Sequence, residues 1–134
     1  MIKKITEIKK FTKIVLLVYT ILWFIFGILL IFLFDLTMNP EGWTNPYLPR
    51  LFGGVNFISA IFAVLMLRKK EWEEIKMTFE YFIVLLLSTL ILEVTVFAIL
   101  SPTSGVVIMS HSFNITVEAV LLVLAIVSYI KQRS

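Results

Sequence analysis

The residues in this chain most able to do chemistry are two glutamates that lie inside long apolar stretches. Glu93 falls in the third such stretch and Glu118 in the fourth, where His111 and Asn114 accompany it. Asn56 is a further polar residue, in the second stretch. A carboxylate at mid-membrane costs about 2.5–3.5 kcal/mol to insert, so such groups usually bind charge, relay a proton or perform acid–base chemistry.

The spacing of the polar residues in the fourth stretch places them on one helix face. His111, Asn114 and Glu118 are spaced i, i+3 and i+7, which on a helix is a single stripe. The stripe continues through Leu121, Ala125 and Ser128. We expect this face to point into a helix bundle. On an antiparallel neighbour, a rise of about 1.5 Å per residue sets Glu93 level with the gap between His111 and Asn114.

These positions predict a polar pocket in the outer half of the bundle, with Glu118 at its floor. The predicted ligand-binding residues are Glu93, Glu118, His111, Asn114 and Asn56. A structural role is the alternative, since hydrogen bonds among Glu, Asn and His also hold membrane helices together. No metal site and no cofactor is predicted, because the chain has no cysteine, a single histidine and no phosphate-binding or dinucleotide motif.

Four apolar stretches carry these residues and account for the composition of the chain. Of its 134 residues 60% are hydrophobic, with a mean hydropathy of +0.99, whereas a soluble domain is about 45–50% apolar. The predicted fold is all-α: one domain, residues 1–134, forming an integral-membrane antiparallel four-helix transmembrane bundle. The helices are predicted at about residues 14–34, 51–67, 77–100 and 106–130, long enough to cross about 30 Å of hydrocarbon.

The distribution of Lys and Arg predicts the orientation. Eleven of the twelve lie before the first stretch, in the second connector or at the C-terminus, and only Arg50 lies in the first connector. Because Lys and Arg concentrate on the cytoplasmic side, both termini are predicted to be cytoplasmic in a multi-pass protein of the cell membrane. Nucleic-acid binding is not expected, since these charges flank apolar stretches.

Two local patterns predict how the second stretch and the connector after it lie. The second stretch is rich in small residues, namely Gly53, Gly54, Ser59, Ala60 and Ala63. Small residues let helices approach closely, so a close helix contact is expected here. In the charged connector, Trp72 and Ile75 recur at helical spacing with Phe79. That pattern is typical of a helix face on the membrane surface, where we expect them.

One segment resembles a known family. The run LPRLFGG at residues 48–54, followed by an apolar helix that ends at Arg68, resembles the second-helix region of DoxX-like small four-helix membrane proteins, which are mostly uncharacterised. The resemblance implies an up-down four-helix bundle. It implies no catalytic residues, because Glu93 and Glu118 lie outside the matching segment.

Three functions are compatible with the sequence. The preferred prediction is a non-enzymatic protein that binds or carries a small molecule, lipid or cation in the polar pocket. One alternative is a membrane-embedded acid–base enzyme, such as an isomerase of an apolar substrate, in which one glutamate donates a proton. The other is an accessory subunit of a membrane complex. The expected partners are the lipid bilayer and a lipid, cation or small apolar ligand; the sequence leaves open a homo-oligomer or a larger complex.

Overall fold

Four long helices make up nearly all of the structure, a computed structural model that describes residues 6–33, 45–100 and 105–133. The helices are α1 (Lys10–Phe32), α2 (Tyr47–Leu67), α3 (Trp72–Leu100) and α4 (Gly105–Arg133). All four contain a segment long and apolar enough to cross a membrane. Within the described ranges there is no strand, only an isolated antiparallel bridge between Glu7 and Glu71. The all-α prediction is confirmed.

The helices extend beyond the apolar stretches that predicted them. α1 begins at Lys10 rather than at residue 14, α3 begins at Trp72 rather than at residue 77, and α4 continues to Arg133. Lys, Glu and Arg are good helix formers, so a helix continues past the point where apolar residues end. Hydropathy therefore marks only the apolar part of each helix. Residue 34, predicted as the end of the first helix, lies outside the described residues.

Three chain segments meet at one end of the bundle, called the terminal end below. The residues before α1 run alongside the connector between α2 and α3. The amide of Ile8 donates to the carbonyl of Lys70 at 3.0 Å, and the amide of Trp72 donates to the carbonyl of Thr6 at 2.8 Å. These bonds fasten the N-terminal segment across the end of the bundle.

Gln132 attaches α4 to the same N-terminal segment. Its buried side chain accepts hydrogen bonds from the amide of Lys9 at 2.9 Å and the hydroxyl of Thr12 at 3.1 Å, and donates to the carbonyl of Glu7 at 2.6 Å. The hydroxyl of Ser128 donates to that of Thr12 at 2.9 Å. This polar layer holds α1 antiparallel to α4.

The buried core lies in the half of the bundle nearer the terminal end. Its largest fully buried side chains include Tyr19, Phe79, Phe82, Leu16 and Ile75. The ring of Trp23 stacks on Tyr19 and meets Phe82 edge-on. The hydroxyl of Tyr19 donates to the carbonyl of Leu121 at 2.5 Å. This bond satisfies the one polar atom of the tyrosine side chain and joins α1 to α4 a second time.

The expectation that the second connector carries a surface-lying apolar face is wrong. Trp72 and Ile75 are only 3% and 1% exposed, and Phe79 is fully buried. α3 already begins at Trp72, so these residues form the inward face of its first turns. The ring of Trp72 contacts those of Phe79 and Tyr129. The connector is therefore a short turn, and the apolar spacing belongs to the core.

α1 and α2 approach each other closely at two glycines. A Cβ added to Gly53 would lie 2.8 Å from Cγ1 of Ile31 and 2.9 Å from Cβ of Leu30. One added to Gly27 would lie 3.1 Å from the backbone nitrogen of Phe57. The helix contact predicted from the small residues of the second stretch is confirmed.

Replacing Gly53 by alanine is expected to destabilise the protein. Overpacking costs about 1–3 kcal/mol, whereas alanine gains at most about 1 kcal/mol over glycine in a helix. Gly54 is the matched control, since a Cβ there meets no atom within 4 Å. Denaturant titration in detergent micelles should show a lower unfolding midpoint for Gly53→Ala and no loss for Gly54→Ala. Equal midpoints for the two variants would contradict the close contact.

Candidate functional site

The candidate site lies on α3 and α4, where the buried core ends. Going away from the terminal end, Leu86 on α3 and Leu121 on α4 are the last buried apolar residues. Of the side chains that the structure describes beyond them on these two helices, only His111 is buried. Polar groups thus begin at the level where apolar packing stops.

A carboxylate–imidazole contact joins the two helices at this level. Nδ1 of His111 lies 2.7 Å from Oε1 of Glu93, with the two side chains 5% and 23% exposed. With Glu93 ionised, Nδ1 donates in this bond, because a carboxylate can only accept. The ring of Phe97 lies beside the imidazole, with centroids 5.8 Å apart. The contact agrees with the level expected from helix rise.

Glu118 is the unsatisfied group of the site. It lies two turns along α4 from His111 and is half-buried. Within the described ranges, its Oε2 atom is buried and has no hydrogen-bond partner. The hydroxyl of Thr89, on α3, lies beside this carboxyl group. A buried acceptor without a donor costs free energy. One oxygen of the site therefore lacks a donor among the described residues.

The two asparagines are less closely connected to the site. Asn114 is half-buried one turn from His111, and Asn56 is half-buried on α2, which packs against α1. In the part of the chain that the structure describes, neither side chain hydrogen-bonds to Glu93, His111 or Glu118. The structure thus brings three of the five predicted residues together. A role for the asparagines in ligand binding stays a prediction.

The inward face predicted for the fourth helix is confirmed. His111 and Leu121 are each 4% exposed, and Ala125 and Ser128 are fully buried. Because these residues lie on one stripe with Glu118, the glutamate must project toward neighbouring helices. Helical spacing alone was sufficient to place the acid inside the bundle.

Sequence reasoning missed one ionisable contact. Glu80, in the first part of the third apolar stretch, accepts a hydrogen bond from the hydroxyl of Tyr129 at 2.5 Å. The signal was available, since Glu80 is an acid inside an apolar stretch as Glu93 is. Its closeness to the charged connector hid it among residues expected to be solvated.

The chemistry of the candidate site is that of an acceptor cluster. Two carboxyl groups and one imidazole lie near one another, and one oxygen of Glu118 has no hydrogen-bond donor among the described residues. No group of three or more His, Asp or Glu side chains suited to a metal ion occurs in residues 6–33, 45–100 and 105–133. The arrangement suits a ligand that carries a positive charge or an N–H or O–H group.

Comparison with known proteins gives no relative: no family model matches the chain, and no curated protein or solved structure matches it significantly. The resemblance to DoxX-like proteins, carried by the run at residues 48–54 and the apolar helix that ends at Arg68, stays a prediction.

Replacing the two acids by methionine is expected to affect stability in opposite directions. Glu118→Met removes a buried unpaired oxygen, so it should raise the free energy of unfolding, by about 1 kcal/mol or more. Glu93→Met leaves the buried imidazole of His111 without its acceptor, at a cost of about 1–3 kcal/mol. Thermal unfolding of both variants in detergent measures the two signs. A less stable Glu118→Met protein would show that this carboxyl group is a structural contact.

Proposed function

We propose that this chain is a multi-pass protein of the cell membrane that binds a small amphipathic cation between α3 and α4. Glu118 and Glu93 provide the negative charge, and His111 orients Glu93. Asn114 and Asn56 are the next candidates to contact the ligand. Binding is non-enzymatic in this proposal, and the ligand is an ammonium or a similar donor group carried on an apolar body.

The observation that carries the proposal is the unpaired Oε2 atom of Glu118. Buried polar atoms are nearly always hydrogen-bonded, so a buried carboxyl oxygen without a donor calls for an explanation. Two turns away on α4, His111 is hydrogen-bonded to Glu93 of α3, so the other acid of this helix pair does have a partner. An incoming ammonium group would give the unpaired oxygen of Glu118 a charge-assisted hydrogen bond.

The surroundings of the acids favour a ligand that is partly apolar. The ring of Phe97 borders the acids, since it lies beside the imidazole of His111 with centroids 5.8 Å apart. A strongly hydrated ion such as sodium would lose its water shell here without enough oxygen ligands to replace it. An alkylammonium keeps its chain against this ring and its charged head against the acids.

Access to the site is proposed from the end opposite the terminal end. Toward the terminal end, Tyr19, Trp23 and Phe82 fill the bundle, and Gln132 and the N-terminal segment cover it. In the other direction the described side chains of α3 and α4 are exposed or half-buried, apart from His111. With both termini cytoplasmic, the proposed entry faces the outer side of the membrane.

Hexylammonium tests the ligand class, because it pairs one ammonium group with an apolar chain. It should stabilise the wild-type protein against thermal unfolding in detergent, by about 1.4 kcal/mol at ten times its dissociation constant. Glu118→Gln should abolish the stabilisation, since an amide replaces the carboxylate charge. Glu73→Gln is the matched control, an exposed acid at the start of α3, and should respond as the wild type does.

Hexanol separates charge from partitioning, since it carries the same apolar chain without the positive charge. It should give little stabilisation in either the wild type or the variants. Equal stabilisation of the wild-type and Glu118→Gln proteins by hexylammonium would refute binding at this carboxyl group. Equal stabilisation by hexanol and hexylammonium would refute the proposed cation selectivity.

Single-cysteine labelling tests the proposed orientation, because the natural chain contains no cysteine. Asn45 and Lys70 are both exposed and lie at opposite ends of the bundle. In intact cells, a membrane-impermeant maleimide should label the Asn45→Cys protein and not the Lys70→Cys protein. Permeabilised cells should allow labelling of both. The reverse pattern in intact cells would place the termini outside and the candidate site toward the cytoplasm.

A further inference from the structure

A shallow groove between α3 and α4 lies at the level of the terminal half of the bundle, apart from the candidate site. Its volume is about 360 Å³, near the lower end of the roughly 300–1,000 Å³ typical of ligand pockets. Its lining residues are Glu80, Ile83, Val84, Ile126 and Tyr129. Val84 and Ile126 are 60% and 42% exposed. The groove thus faces the surroundings of the bundle, which is the bilayer if these helices span it.

The polar groups of the groove are gathered at the side nearer the terminal end. Glu80 accepts a hydrogen bond from the hydroxyl of Tyr129. The guanidinium carbon of Arg133, one turn beyond, lies 5.5 Å from the centre of the tyrosine ring. A carboxylate, a phenol and a guanidinium therefore lie together beside the apolar part of the groove. A carboxylate accepts several hydrogen bonds, so Glu80 retains acceptor capacity beyond its contact with Tyr129.

The depth of these groups matches a lipid headgroup. Lys76 precedes Glu80 by one turn on α3, and Lys131 and Arg133 follow Tyr129 on α4. Lys and Arg mark the border between membrane and cytoplasm, and one helical turn is about 5.4 Å. Glu80 and Tyr129 thus lie just inside that border, while Ile83 and Ile126 lie at the depth of acyl chains.

We propose that this groove binds one phospholipid whose headgroup carries a primary amine. The acyl chain lies along Ile83, Val84 and Ile126. The ammonium group donates to Glu80, and the phosphate pairs with Arg133. The proposal is independent of the cation site at Glu118, since the two regions share no residue.

Charge complementarity is the reason to choose an amine-bearing lipid. A negative headgroup without an amine would pair with Arg133 but be repelled by Glu80. A quaternary ammonium carries positive charge but has no N–H group to donate. A headgroup with a phosphate and a primary ammonium group satisfies the acid and the base together through charge-assisted hydrogen bonds, whereas a hydroxyl headgroup can donate to Glu80 but brings no positive charge.

Competition between two lipids with identical acyl chains tests the proposal. The purified full-length protein in detergent is given equal amounts of phosphatidylethanolamine and phosphatidylcholine, and retained lipid is counted by native mass spectrometry. The wild type should prefer phosphatidylethanolamine by about fivefold, as expected for one solvent-screened charge-assisted hydrogen bond. Glu80→Gln should bring the ratio close to one. Equal retention of the two lipids by the wild type would overturn the proposal.

Filling the groove tests the position of the acyl chain. Ile126→Trp should lower the retention of both lipids by about fivefold or more, because the indole would occupy the groove. Ile61→Trp is the matched control, since Ile61 is a 49% exposed isoleucine on α2, and it should retain lipid as the wild type does. Equal retention by the two tryptophan variants would place the lipid elsewhere.

Thermal unfolding would reveal whether the Glu80→Gln protein is misfolded. A further variant tests the proposal without changing Glu80. Tyr129→Phe removes the phenol that competes for the carboxylate and leaves Glu80 in place. It should preserve or increase the preference for phosphatidylethanolamine. A Tyr129→Phe protein that folds but has lost the preference would also overturn the proposal.

Discussion

A polar group carried into an apolar helix needs a hydrogen-bond partner, and this constraint organises most of the bundle. At the terminal end the partners are complete: Thr12, Ser128 and Gln132 are fully or nearly fully buried and bond to one another and to the N-terminal backbone. Tyr19 meets the same requirement through the carbonyl of Leu121. These bonds join α1, α4 and the connector before α3. The aromatic core then packs in the half of the molecule that they hold together.

The two halves of the bundle consequently have different physical characters. One half is closed by side-chain packing and by a polar layer in which the buried donors and acceptors are hydrogen-bonded to one another. In the other half, the described parts of α3 and α4 keep one buried residue, His111, and a carboxyl oxygen of Glu118 without a donor. For the ligand binding proposed above, this asymmetry implies entry from one side, since passage through the molecule would require the hydrogen bonds around Gln132 to break.

Much of this arrangement follows from periodicity and little of it from composition. The stripe from His111 through Leu121 to Ser128 predicted the inward face of α4, and helix rise predicted that Glu93 would lie near His111. Trp72 shows the limit: its apolar spacing was correct, but only the three-dimensional contact with Tyr129 shows that a neighbouring helix covers it. The bonds of Gln132 join residues at least 120 positions apart in the chain, and no local pattern encodes such pairings. Small residues predicted a close contact at Gly53, but not which helix makes it.

Three acids of one chemical type show how position determines what a glutamate can do. Glu80 lies one turn from Lys76 on α3 and accepts a hydrogen bond from the hydroxyl of Tyr129. Glu93, deeper in its apolar stretch, has the imidazole of His111. Glu118 lies beside Thr89, but the hydroxyl of Thr89 donates to the carbonyl of Leu86. One oxygen of Glu118 therefore stays unpaired. The satisfied pairs hold α3 and α4 in register at two levels, while Glu118 lies between those levels. The flanking contacts hold the two helices in place on either side of Glu118, so its unpaired oxygen needs a donor from outside these contacts, which is the role proposed above for the ligand.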